Sequence, residues 1–154
     1  MNNPSFSKAL THIDDSALNF VIEMLNGDPT YAINFDRIQW DNSNNCYVII
    51  EYLLCDETQF SKGVTPYTSH PNRYFQKNSM KFISLWQITR DLGAKLFLVN
   101  YSKKGTQYDD QVLLMEVKDI DSNKNPVVTT NDRRMTRSEF SNWLREINSR
   151  GVRK

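Results

Sequence analysis

Cys46-Tyr47-Val48-Ile49-Ile50-Glu51-Tyr52-Leu53-Leu54-Cys55 is an apolar run long enough for one strand and too continuous for a solvent-facing one, so it reads as a buried strand at the centre of a sheet. Glu51 breaks the run. A lone ionised carboxylate is costly to bury unless it is paired or binds a metal. Working outward, Tyr31-Ala-Ile-Asn-Phe-Asp36-Arg-Ile-Gln-Trp40 is a second strand-like run, and Asp41-Asn-Ser-Asn-Asn45 between them is rich in turn formers. A hairpin over about 31–55, closed at that turn, brings Asp36 and Glu51 together at one end of a sheet. Two carboxylates delivered by adjacent strands suit a divalent cation, and with it phosphodiester chemistry.

The flanking segments extend the pattern. Asp14 or Asp15 can cap a first helix carrying Leu18, Val21, Ile22 and Leu25 on one face, and Gly27 with Pro29 stops it; Glu23 lies near the edge of that stripe. Residues 56–76, with Gly63, Pro66 and Pro71, read as a long loop, of a length that is often functional. A second helix is predicted from Lys77 or Asn78 to Leu92, with Gly93 as its C-cap. A strand at Lys95–Tyr101 and another at Asp110–Lys118 pair across the turn Lys103–Gln107. A short extended piece follows at Val127–Thr130. The last helix opens on a capping box, Thr136 and Glu139, and presents Phe140, Trp143, Leu144 and Ile147 on one face. The order helix, hairpin, helix, strand, strand, helix predicts an α/β (α+β) fold, a central mixed sheet flanked by helices.

The 154 residues suffice for a single domain with one well-buried core, and 39% hydrophobic with 24% charged residues is ordinary for a globular protein. With no apolar stretch of membrane-spanning length and no signal-peptide pattern at Met1–Phe6, a soluble, cytoplasmic protein without a membrane partner is expected. Cys46 and Cys55 lie in the apolar strand and read as a reduced pair, not a zinc site. Net charge is only +1, but residues 1–57 hold nine acidic and two basic side chains, net −7, and the remainder nets +8. An acidic end carrying candidate cation ligands and a basic end suit an enzyme acting on a polyanion. Histidine-based metal clusters are excluded by the presence of His12 and His70 alone, and neither a glycine-rich phosphate loop nor a Gly-x-Ser-x-Gly elbow occurs. His70 reads as a loop residue, Trp86 and Trp143 as core, and Tyr67, Tyr74 and Phe75 as packing over the sheet.

On these residues the chain resembles the PD-(D/E)XK nuclease superfamily, the restriction-endonuclease-like fold. Phe-Asp36-Arg-Ile-Gln-Trp matches the motif's aspartate strand, and Tyr-Val-Ile-Ile-Glu51-Tyr-Leu53 matches the strand carrying E-x-K. Glu23 matches the acidic residue that many members carry on the first helix. The resemblance covers about 15–102, leaving 103–149 as C-terminal strands and helix. One position departs: Leu53 stands where the lysine belongs. In some members that lysine comes from the next helix, and Lys81 falls there among Leu85, Ile88 and Leu92, on the apolar side, where a lysine is unusual unless its amine reaches an acid. Lys77, one turn earlier, is the second choice. The resemblance implies that Asp36 and Glu51 bind Mg²⁺ or Mn²⁺, that Lys81 positions the attacking water or stabilises developing charge, and that Glu23 holds a second metal or a metal-bound water. It implies hydrolysis of nucleic acid, DNA first. Arg73, Lys103, Lys104, Arg133, Arg134 and Arg137 are the candidate phosphate contacts. The alternative is a catalytically inactive nuclease-fold binding module or small phage- or plasmid-type regulator that binds nucleic acid or a protein partner; a homodimer is left open.

Overall fold

The structure, a computed structural model, describes residues 15–151. Asp14, His12 and the terminal Arg153 and Lys154 therefore lie outside the described residues. The chain divides into two compact units, residues 1–32 and 33–154.

In the first unit, helix α1 (Ser16–Leu25) follows Asp15, which occupies the N-cap without a side-chain cap bond. Asn26 ends the helix in the left-handed region at φ 50°, its N–H bonding the Glu23 carbonyl, and Gly27 continues at φ 91°, a conformation that favours glycine. None of the α1 residues is buried.

The second unit is a five-stranded mixed sheet in sequential order: β1 (Arg37–Asp41), β2 (Cys46–Leu54), β3 (Lys95–Tyr101), β4 (Val112–Ile120) and β5 (Val128–Met135). Strands β2 and β3 run parallel, Glu51 opposite Leu98 and Leu53 opposite Asn100; the other three pairings are antiparallel. A parallel neighbour needs a crossover, and here it contains α2 (Ser79–Asp91). Side chains alternate across the strands, so each strand feeds two cores. Ile49, Leu96, Leu98, Leu113 and Met115 pack with Phe82 and Leu85 of α2. Val48, Ile50, Val99, Leu114 and Met135 pack on the other side, with Phe140, Trp143 and Leu144 of α3 (Arg137–Ser149). Both capping-box bonds of Thr136 and Glu139 are present at the start of α3.

Several boundaries differ from the sequence expectations, among them β4, which runs Val112–Ile120 and not Asp110–Lys118. Residues 31–36 are not strand: β1 begins at Arg37. The segment 56–76 is a string of 3₁₀ turns (Glu57–Lys62, Pro71–Arg73 and Phe75–Asn78), and the last displaces the start of α2 to Ser79. Strand β5 runs on to Met135, because Asn131-Asp-Arg-Arg134 lies on a sheet edge where polar side chains remain exposed and apolar alternation is not required.

Candidate functional site: Asp36, Glu51 and Lys81

Glu51 faces the α2 side of the sheet, between Ile49 and Leu53, and is 4% exposed. Lys81 stands in the first turn of α2, and its Nζ lies 2.7 Å from Glu51 Oε1. The lysine side chain is 44% exposed, so it reaches from the rim down to the carboxylate. Asp36 precedes β1 by one residue. With Arg37 paired to Ile50, the next position along the ladder sets Asp36 against Glu51. The Tyr52 main-chain N–H donates to Asp36 Oδ2 at 2.9 Å, tying that carboxylate to β2 beside Glu51. Asp36, Glu51 and Lys81 are thus gathered at one place by a hairpin and a crossover helix.

The electrostatics of this place are unbalanced. Burial pushes the Glu51 carboxyl above its ordinary range; Lys81 pulls it down through its hydrogen bond and charge, the Asp36 charge pushes it up, and the Asp36 main-chain N–H pulls it down slightly. Glu51 Oε2 is buried with no hydrogen-bond partner. A buried acceptor without a donor is destabilising, by about 1–3 kcal/mol in general. It is also a vacant hard-oxygen ligand beside a second carboxylate, which is the donor chemistry of Mg²⁺ or Mn²⁺. The fit is to a two-carboxylate set: among the described residues no group of three or more His, Cys, Asp or Glu gathers to hold a metal. Glu23 lies on α1, within the first unit.

Leu53 packs against the α2-side core. Lys77 is exposed in the turn before α2. Of the basic candidates, Arg73, Lys103, Lys104, Arg133 and Arg134 are exposed. Arg134 lies over the Tyr67 ring at 5.1 Å. Arg137 is committed elsewhere: its guanidinium donates to the main-chain carbonyls of Asp109 and Ser102, and its N–H bonds Asp110 at 3.1 Å. That role was invisible in the sequence, where an arginine beside a capping residue looks like any surface cation.

Two further polar centres escaped sequence reading. Asp41, 1% exposed, organises the β1–β2 turn by accepting from Ser43 N, Asn44 N and the Asn44 amide, with Arg150 3.6 Å away. His70 bonds Thr130 Oγ1 at 2.8 Å, and Thr130 donates on to Asp132 at 2.5 Å. The turn composition around Asp41 signals the first; nothing local signals the second, which joins distant segments. Both cysteines are free, Cys55 buried and Cys46 half-buried. Comparisons with family models, curated proteins and solved structures give no match to this chain. Among the described residues no helix is long and apolar enough to cross a membrane.

Proposed function

We propose that this chain is a metal-dependent nuclease with a restriction-endonuclease-like core, hydrolysing phosphodiester bonds in DNA. The observation that carries the reading is the meeting of Asp36, Glu51 and Lys81, with Glu51 Oε2 left unpartnered. On this reading the E-x-K lysine, absent at Leu53, is supplied by Lys81 from α2.

Glu51 Oε2 and the Asp36 carboxylate would hold Mg²⁺ or Mn²⁺, which when bound supplies Lewis acidity toward the phosphoryl oxygen and makes a bound water more acidic. Glu51 serves as ligand at one oxygen while Lys81 is held at the other, so the ammonium is fixed within reach of the same region. An ammonium there places an attacking water by hydrogen bonding and offsets the negative charge that builds on phosphorus. Tyr52 N–H holds the exposed Asp36 carboxylate against β2, beside Glu51. Exposed Arg73, Lys103, Lys104, Arg133 and Arg134 supply phosphate affinity without sequence choice.

The test is incubation with supercoiled plasmid, linear DNA, single-stranded DNA and RNA, in Mg²⁺, Mn²⁺ or EDTA. Cleavage that needs the metal and disappears in Asp36→Ala and Glu51→Ala is expected, with a loss of at least about 100-fold in Lys81→Ala from the missing electrostatic stabilisation. Absence of cleavage by folded wild type on every substrate counts against the nuclease. The inactive binding module then leads; Leu53 in the core and the closed Lys81–Glu51 pair favour it, and it requires nucleic-acid binding that survives Asp36→Ala and Glu51→Ala.

A further inference from the structure

On the opposite face of the sheet from Glu51, the groove between α3 and the β4–β5 edge is open to solvent and has a volume of about 340 Å³. Its floor is aromatic: Phe97 and Trp143 meet edge to face at 5.1 Å, with Leu114 beside them. Strand alternation decides which polar side chains enter it. Glu116 is paired with Phe97 and Asn131 with Glu116, so these two share the Phe97 face; Arg133, paired with Leu114, shares it too. Asp132 also lines the groove, but its side chain belongs to the other face, where it accepts from Thr130.

The charges in the groove are therefore unequal in kind. Glu116 is already matched by Lys118 at 2.9 Å. Arg133 is exposed, and among the described residues its guanidinium has neither an ion pair nor a hydrogen-bond partner. The half-buried indole of Trp143, stacked on Phe140 at 5.6 Å, lines the groove together with an unmatched guanidinium, an amide and a carboxylate. Aromatic side chains stack on planar heterocycles, guanidinium groups take phosphate in a fork, and Asn and Glu read ring N–H and exocyclic amine groups. The volume falls at the lower end of small-ligand sites. We infer that this groove is a binding site for a nucleoside 5′-phosphate, with the base on Trp143, its polar edge toward Asn131 and Glu116, and the phosphate on Arg133. The inference stands apart from the carboxylate site, since it uses none of Asp36, Glu51 or Lys81; Arg133 alone is common to it and to the phosphate contacts of the nuclease reading.

The experiment titrates 5′-AMP, adenosine and inorganic phosphate separately into the full chain in EDTA and follows the Trp143 indole N–H by NMR, assigned with Trp143→Phe. Expected is a saturable shift of that resonance with 5′-AMP, weaker binding of adenosine, and at least about tenfold weaker binding of 5′-AMP by Arg133→Gln with adenosine unchanged. Glu51→Gln should bind 5′-AMP as the wild type does, which separates this site from the carboxylate site. No shift at millimolar 5′-AMP, an equal shift with phosphate alone, or undiminished binding by folded Arg133→Gln overturns the assignment.

Discussion

Glu51 is held by one bond too few. Its Oε1 has Lys81 and its Oε2 has nothing, while burial and the Asp36 charge raise its carboxyl above the ordinary range. A carboxyl raised in the fold contributes stability that is full below its unfolded value and lost as pH rises through the folded one. Unfolding followed across pH 4–8 should therefore show Glu51→Gln losing less stability than wild type as pH rises. Lys81→Met should do the reverse: it removes the partner that lowers the Glu51 carboxyl, so that carboxyl should titrate still higher by carbon-detected NMR. Because Lys81 is a rim residue, 44% exposed, the stability cost at pH 8 should be about 1–2 kcal/mol, below that of a fully buried pair. Mg²⁺ should raise the wild-type melting temperature and leave that of Glu51→Gln unchanged, a readout that does not require turnover. Sequence alone marks Glu51 as anomalous and Lys81 as a lysine in need of an acid, because both break an apolar pattern. The pairing itself needs the crossover to bring residues from a strand and a distant helix into contact.

At the level of elements, the crossover between β2 and α2 is fastened to the far edge of the sheet. Asn72 bonds both the N–H and the carbonyl of Val128, at 2.8 and 2.9 Å, while Tyr67 donates to the Met135 carbonyl and Asn100 to those of Pro66 and Ser69. His70 completes the fastening. Its Nδ1 accepts from Asn72 N at 3.2 Å, which leaves Nε2 to donate to Thr130. Burial lowers the His70 pKa below 6.5, with the Asp132 charge opposing. A histidine lowered in the fold contributes stability present above its unfolded value and lost as pH falls through the folded one. Protonation turns Nδ1 into a donor facing a donor, so the turn at Pro71–Arg73 loses its cap. Hydrogen exchange should show residues 66–74 opening as pH drops below about 6.5, with the β2–β3 ladder protected and His70→Asn much less pH-dependent. Helices α2 and α3 were legible because caps and apolar stripes are local signals. The fastening was not, since a polar loop and a polar edge strand each look unremarkable until they are adjacent.

For the molecule as a whole, the acidic first third and basic remainder visible in the sequence become carboxylates on the β1–β2 hairpin and exposed cations on later elements. Nucleic-acid affinity should fall steeply with salt, and Lys103→Gln with Lys104→Gln should flatten that dependence at an unchanged melting temperature. Arg137→Gln should instead lower stability, by about 1–3 kcal/mol, because its guanidinium serves main-chain carbonyls. Composition announced the asymmetry and could not sort structural arginine from free cation, since the difference lies in which carbonyls are near. The mixed sheet itself was legible as a class, from the alternation of strands and helices, whereas the sheet order required the pairings. One of those pairings has a temporal consequence. Strands β1 and β2 close across a short turn, but β2 finds its parallel neighbour β3 only after the whole fastened crossover and α2 intervene. Loop closure over such a span is slow relative to hairpin formation. On a ribosome, Glu51 therefore emerges long before Lys81 can reach it, and the nascent hairpin carries an unneutralised pair of acids. The complete set of Asp36, Glu51 and Lys81 is therefore assembled late, when α2 and β3 dock, and not with the segment that bears the two carboxylates.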